Sequence, residues 1–355
     1  MKGFRPDPLP QIKGRGIAEN PPNRFEAVQR QSESDLWEAS DAKTQYIDDV
    51  SKTIITTNKS PDLPFSASIN VYRGCEHGCV YCYARPTHEY LGYSAGLDFE
   101  NKIIVKRNAP QLLSAELSHP RWQAKVLMMS GVTDAYQPIE RRLKLTRACL
   151  EVLSAFRNPV AIITKNSAVI RDIDLLSQLA AHQAASVFIS ITTLDDKLHQ
   201  KLEPRAARPE KRLAALEALS AAGIPCGLMI APVIPGLNDH EIPEILHAAK
   251  LAGAHFAAMV PLRLPFSVAD LFEDWLTIHV PNKKTKVMNH IREMRGGKRN
   301  DANFGTRMQA EGTYIAQVQD LFILSCRKMG LLQEMPHLSC AAFRFSHPQQ
   351  LSLFP

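Results

Sequence analysis

At 355 residues, 45% of them apolar and 22% charged, the chain has the make-up of a globular protein with one large α/β domain or two smaller ones, and it lacks the composition of a disordered, fibrous or disulfide-framed chain. Its start, Met1-Lys-Gly-Phe-Arg-Pro-Asp-Pro, has no apolar stretch of secretory type, and no apolar run approaches the roughly 18 residues of a membrane span, so a cytoplasmic address with no membrane partner is expected. The formal charge of +6 is concentrated in one place: Lys283, Lys284, Lys286, Arg292, Arg295, Lys298, Arg299 and Arg307 stand against Glu293 and Asp301, a margin equal to the whole excess.

Residues 1–51 are rich in Pro, charge and polar groups without a sustained period, and read as an N-terminal extended arm. From 52 to 265 short β-branched and apolar runs alternate with stretches of helical period. Strands are expected at Ile69–Tyr72, Val126–Met129, Val160–Thr164, Val187–Thr192, Cys226–Ile230 and Phe256–Val260, with an extra or edge strand at Lys102–Lys106. Helices such as Arg141–Phe156 and Glu210–Ala222, the latter ended by Gly223, lie between them. Six β-α units make a wound sheet or a barrel. No Gly-x-Gly-x-x-Gly follows the first strand, whereas polar residues recur just past the strand ends, at Ser130-Gly-Val-Thr-Asp134, Thr164-Lys165, Thr192-Thr193 and Arg263. That rim pattern favours an α/β fold of open partial (β/α)6 TIM type. Residues 266–355 form a mainly helical C-terminal region, with helices expected near 267–278 and 308–329 around the basic segment 281–307. That segment reads either as a solvated helix and loop or as a candidate nucleic-acid interface.

The passage that carries chemistry is Tyr72-Arg-Gly-Cys75-Glu-His-Gly-Cys79-Val-Tyr-Cys82-Tyr-Ala-Arg85. Three thiolates spaced C-x3-C-x2-C on one loop can each take one iron of a 4Fe–4S cubane. With no fourth cysteine nearby, one iron stays open to a ligand. A zinc site completed by His77 or His88 is the rival, but no second ligand pair is present. Cys149, Cys226, Cys326 and Cys340 lie in apolar surroundings and read as core residues.

The triplet, with Tyr81 just before its last cysteine, resembles the radical S-adenosylmethionine superfamily. Within it, residues 52–265 look most like the branch of spore photoproduct lyase and its DNA-repair-photolyase-like relatives. The resemblance implies a cluster on Cys75, Cys79 and Cys82 whose open iron holds the amino and carboxylate groups of S-adenosylmethionine. Reductive cleavage then gives a 5′-deoxyadenosyl radical, with the electron supplied by an external flavodoxin- or ferredoxin-type donor. It further implies Tyr81 near adenine and cluster, and the strand end holding Ser130, Thr133 and Asp134 at the methionyl amine. Lys165 matches a lysine for the methionyl carboxylate, and Ser190, with Thr192 as alternative, a group on the ribose. Glu203, Pro204 and Arg212 would order the loop after the fourth strand, and Ile230-Ala-Pro-Val-Ile would form the ledge for adenine. Tyr83 matches a tyrosine near substrate that takes part in radical transfer, a packing role being the alternative. One departure concerns Gly131, which stands where spore photoproduct lyase has a hydrogen-donating cysteine, so the same repair is not expected. The substrate is therefore open: a nucleic acid, a small molecule or a protein side chain, with a non-catalytic iron–sulfur electron-transfer or sensing protein as the reading from outside catalysis.

Overall fold

The computed structural model describes residues 12–26, 43–129, 131–308 and 310–345. Its first elements are short: β1 (Gln45–Asp48), β2 (Ile55–Thr57), β3 (Ala67–Ile69), β4 (Tyr72–Arg73), α1 (Asp98–Asn101), β5 (Lys102–Val105) and α2 (Ala109–Leu117). A repeating unit follows, with β6 (Leu127–Met129), α3 (Glu140–Leu143), α4 (Leu145–Phe156), β7 (Val160–Thr164), α5 (Ile173–Ala180), β8 (Ala185–Ser190), α6 (Asp196–Leu202), α7 (Pro209–Ala221), β9 (Cys226–Val233), α8 (Ile242–Leu251) and β10 (Phe256–Pro261). Beyond it lie α9 (Val268–His279), α10 (Pro281–Glu293) and α11 (Thr313–Met329).

One sheet runs β10-β9-β8-β7-β6-β3-β2, and a small one runs β1-β5-β4. From β3 to β10 every neighbouring pair in the large sheet is parallel, and β2 closes the far edge antiparallel to β3. The result is the open partial (β/α)6 barrel expected from the alternation of strands and helices. Its strands are apolar on both faces, as parallel strands under helices must be: all of Ala185–Ser190 is buried. Apolar stripes of α4, α5 and α8 supply the outer half of the core through Leu150, Leu153, Leu176, Leu179, Ile245 and Leu246.

The sequence boundaries shift at two places for local reasons. The run Ile69–Tyr72 is not one strand. Asn70 turns its side-chain oxygen to the Val132 amide at 2.9 Å, so the chain leaves the barrel after β3 and Tyr72 pairs instead with Val105 of β5. The run Arg141–Phe156 is broken at Lys144, which adopts φ 52°, and restarts with the Thr146 amide donating to the Glu140 carboxylate at 3.1 Å. The C-terminal elements are tied to the barrel, because Ala257 donates to Leu332 O at 2.7 Å and the Trp275 indole N–H donates to Lys201 O at 3.0 Å. Among the described residues no helix is long and apolar enough to cross a membrane.

Candidate active site at the barrel mouth

The cysteine loop leaves β4 and is clamped from three sides. Gly74 and Gly78 take left-handed backbone, φ 79° and 69°, which glycine adopts without a Cβ clash. The Cys75 amide donates to Phe99 O at 2.9 Å and the Val80 amide to Leu202 O at 3.1 Å, so α1 and the end of α6 hold the loop's two halves. Arg85 is wholly buried and donates from Nε and Nη2 to Cys79 O at 3.1 and 2.9 Å, while its Nη2 meets the Glu100 carboxylate at 2.5 Å. Glu100 also accepts the Gly16 and Ile17 amides at 3.0 and 3.1 Å. Residues of the N-terminal segment thus lie directly on the loop, where a Cβ on Gly16 would come 1.9 Å from Gly78 O. On the other flank Gln137 receives the Glu76 amide at 3.0 Å and donates to Gly74 O at 3.1 Å.

Cys75 and Cys79 are buried and Cys82 is half-buried. Burial pushes all three thiols above their ordinary pKa, and binding iron as thiolates would release their protons. Among the described residues no three His, Cys, Asp or Glu side chains converge on a single ion position, as a mononuclear zinc site requires. A cubane takes each thiolate on a different iron. The two histidines weighed as zinc ligands have other surroundings. His88 Nε2 lies 2.8 Å from Lys102 O, and His77 sits between Asp134 at 3.5 Å and Asn166 at 3.2 Å. Three cysteines on one loop, with both nearby histidines engaged elsewhere, are a donor set that fits a 4Fe–4S cluster.

Beside the loop, the C-terminal ends of β7 and β8 build a polar network. Lys165 Nζ donates to Ser190 Oγ at 2.7 Å, Thr192 Oγ1 at 3.1 Å and Ala231 O at 2.7 Å, and lies 3.3 Å from the Glu203 carboxylate. Glu203 is fully buried and accepts from Thr192 at 2.6 Å, from the Tyr81 hydroxyl and from Arg212. Burial alone would raise its pKa, but Arg212, Lys165 and His199 outweigh that and hold it well below the usual carboxylate range. The same burial, with Glu203 as neighbour, drives the Tyr81 phenol upward and keeps it neutral. Arg212 donates onward to Ser190 O at 2.7 Å and Ala207 O at 2.7 Å, locking the strand end to the following loop.

Tyr81, Lys165, Ser190 and Thr192 are thus brought together. Ser130 lies outside the described residues. Thr133 spends its hydroxyl on Tyr72 O at 3.0 Å. Asp134 accepts the Thr164 hydroxyl at 2.7 Å and the Tyr136 and Lys165 amides at 2.9 and 2.8 Å, so its carboxylate joins the two strand ends. Tyr83 stands at the mouth, 52% exposed, its hydroxyl donating to Gly131 O at 2.7 Å. Cys226 faces the helix layer, its Sγ 3.6 Å from Leu216 O in α7. Sequence reasoning passed over Arg85, Glu100 and Gln137, whose partners are backbone groups and, between Arg85 and Glu100, each other, none revealed by local spacing.

Comparison with known proteins agrees with this geometry. The Radical SAM superfamily matches residues 69–249. An uncharacterized protein of Mycobacterium tuberculosis is 38% identical over 224 residues, and the match spans 62% of this chain and 66% of that relative. A mutant spore photoproduct lyase superposes with a TM-score of 0.60 at 15% identity, covering 88% of each chain. The lyase complexed with dinucleoside spore photoproduct gives 0.58 at 15% identity over 82% of each, a likeness of fold. With its cysteine loop, its barrel and a family match over half its length, the chain belongs to the Radical SAM superfamily, whose members imply a 4Fe–4S cluster and S-adenosylmethionine.

Proposed function

We propose that this protein reductively cleaves S-adenosylmethionine at a 4Fe–4S cluster held by Cys75, Cys79 and Cys82, and acts on a nucleic-acid substrate. The observation that carries the first part is the placement of three cysteines, two buried and one half-buried, beside the Lys165–Glu203 network at one barrel mouth. When bound, the cluster and S-adenosylmethionine together supply a 5′-deoxyadenosyl radical. The chain's own share is binding and exclusion of water. Lys165 would turn its ammonium from Ser190, Thr192 and Ala231 O to the methionyl carboxylate, freeing the Ser190 and Thr192 hydroxyls for the ribose. Glu203 and Arg212 keep Tyr81 and those hydroxyls in place. Asp134 sets the backbone that carries Lys165, a positioning role that replaces direct contact with the methionyl amine. Tyr83 serves at the substrate side.

The nucleic-acid part is supported by the likeness to a lyase solved with a dinucleoside lesion and by the basic 281–307 segment. A small molecule or protein side chain is the second reading, because much of that segment's charge is spent internally. Arg299 pairs with Asp270 at 2.6 Å, Arg307 with Asp62 at 2.7 Å and Lys284 with Glu273 at 3.6 Å. The electron donor would be an external flavodoxin- or ferredoxin-type protein. Repair of spore photoproduct by the lyase route is not expected, since Gly131 offers no thiol and Cys226 faces the helix layer.

The test is an anaerobic assay of reconstituted, reduced protein with S-adenosylmethionine, run with and without a dinucleotide spore photoproduct. The expected products are 5′-deoxyadenosine in both arms and no recovered thymine. Absence of 5′-deoxyadenosine contradicts the cleavage, and multiple-turnover recovery of thymine contradicts the argument from Gly131.

A further inference from the structure

Arg263 follows β10 at the same barrel mouth, and its pairing is incomplete. Its Nε is buried without a hydrogen-bond partner, and its Nη1 lies 2.9 Å from the Met308 sulfur, a weak acceptor. The acids that share its surroundings are Asp62 and Asp301, and both are engaged elsewhere. Asp62 accepts from Arg307 at 2.7 Å, Ser60 at 3.0 Å and the Gly305 amide at 2.5 Å, and Asp301 accepts from Thr306 at 2.5 Å and the Asn303 amide at 2.9 Å. Burial and the nearby Arg307 both work against the charge on Arg263.

One aromatic face lies on this guanidinium and a second on that of the nearby Arg307. The Arg263 Cζ lies 6.0 Å from the centre of the Tyr83 ring, which is half exposed, and the Arg307 guanidinium lies 4.3 Å from the Phe304 ring, itself 65% exposed. Cations interleaved with exposed rings are the arrangement that takes an unstacked base on an aromatic face and its phosphate on a guanidinium. An anionic peptide would use the cations and leave both rings without purpose.

We infer that Arg263, with the rings of Tyr83 and Phe304, the latter set by the Asp62-paired Arg307, forms a subsite for one unstacked nucleotide of a nucleic-acid strand, the phosphodiester held by Arg263. The inference rests on the nucleic-acid reading above and names where that substrate is gripped. It places Tyr83 between the bound nucleotide and the cysteine loop, on which Tyr83 directly follows Cys82.

The test uses reconstituted full-length protein and a fluorescein-labelled octathymidylate, with binding read by anisotropy from about 20 to 200 mM salt. Arg263→Gln is expected to weaken binding about tenfold at low salt and to lower the log–log salt slope by about 0.7, the loss of one phosphate contact on a single strand. Phe304→Ala, at an exposed position, is expected to weaken binding about tenfold with the slope unchanged, and it reads the site even if Arg263→Gln misfolds. Lys328→Gln on α11 removes the same charge outside the subsite and is expected to stay within about twofold. Native binding retained by both Arg263→Gln and Phe304→Ala overturns the subsite and leaves the nucleic-acid reading standing. No binding by the native protein at low salt overturns both.

Discussion

At the scale of single residues, the cysteine triplet was readable because a cluster loop is local: its ligands lie within eight residues and their spacing is the signal. Lys165 and Thr192 stood out as polar residues at expected strand ends, whereas Ser190 came from the family resemblance, with Thr192 as its alternative because side chains two apart on one strand share a face. Asp134 was harder to read. Its partners at 164 and 165 are thirty residues away, and only the parallel pairing of β6 with β7 shows that its carboxylate is already filled. Two substitutions separate the roles. Lys165→Ala should weaken S-adenosylmethionine binding by roughly ten- to a hundredfold, the effect of losing a charged hydrogen bond worth about 1.5–3 kcal/mol, with iron content unchanged. Isothermal titration and iron assay check this, and unchanged affinity contradicts it. Glu203→Gln leaves Arg212 buried and uncompensated, so a loss of about 3–5 kcal/mol is expected. Because the folded-state pKa of Glu203 is depressed, its contribution is complete above the ordinary carboxylate value of about 4.3 and is lost as pH falls through the folded value. The melting-temperature gap between native and Glu203→Gln protein should therefore be full at neutral pH and shrink below about pH 4.

At the scale of elements, the strands from 126 onward were legible because buried parallel strands are short continuous apolar runs between helical periods. Val160–Thr164 coincides with β7, and Cys226 opens both the expected strand and β9. The first strand was not legible as two, because the break at Asn70 depends on a bond to Val132, sixty-two residues on. Nor does periodicity show that residues 12–17 pack on the cysteine loop, since that contact runs through backbone amides and the Glu100 carboxylate. Glu100→Gln removes the charge paired with Arg85 while keeping the side chain's shape. Breaking this buried pair should cost about 3–5 kcal/mol and loosen the loop, lowering both the thermal midpoint and the iron retained after reconstitution. A variant with native stability and native iron content would show that the clamp does not support the loop.

At the scale of the whole molecule, the alternation of strand and helix from 52 to 265 carries the barrel, and the superposition with spore photoproduct lyase at a TM-score of 0.60 reports the same fold. The charge distribution was less informative than it looked. The excess on 281–307 is real, yet pairing with Asp270 and Glu273 of α9 ties part of it to its own C-terminal region, and Arg307 with Asp62 ties that region to the rest of the chain. Pairings across such distances in sequence leave no local trace, which is why composition could locate the basic segment and not say how much of it stays free.

Iron and acid-labile sulfide measured on anaerobically reconstituted protein, native and with Cys75, Cys79 and Cys82 all changed to Ala, test the central claim most directly. Native protein should hold about four irons and four sulfides per chain, with broad absorption near the blue end of the visible, and the triple variant should hold almost none. Iron retained by the triple variant, or zinc in the native site, would contradict the account.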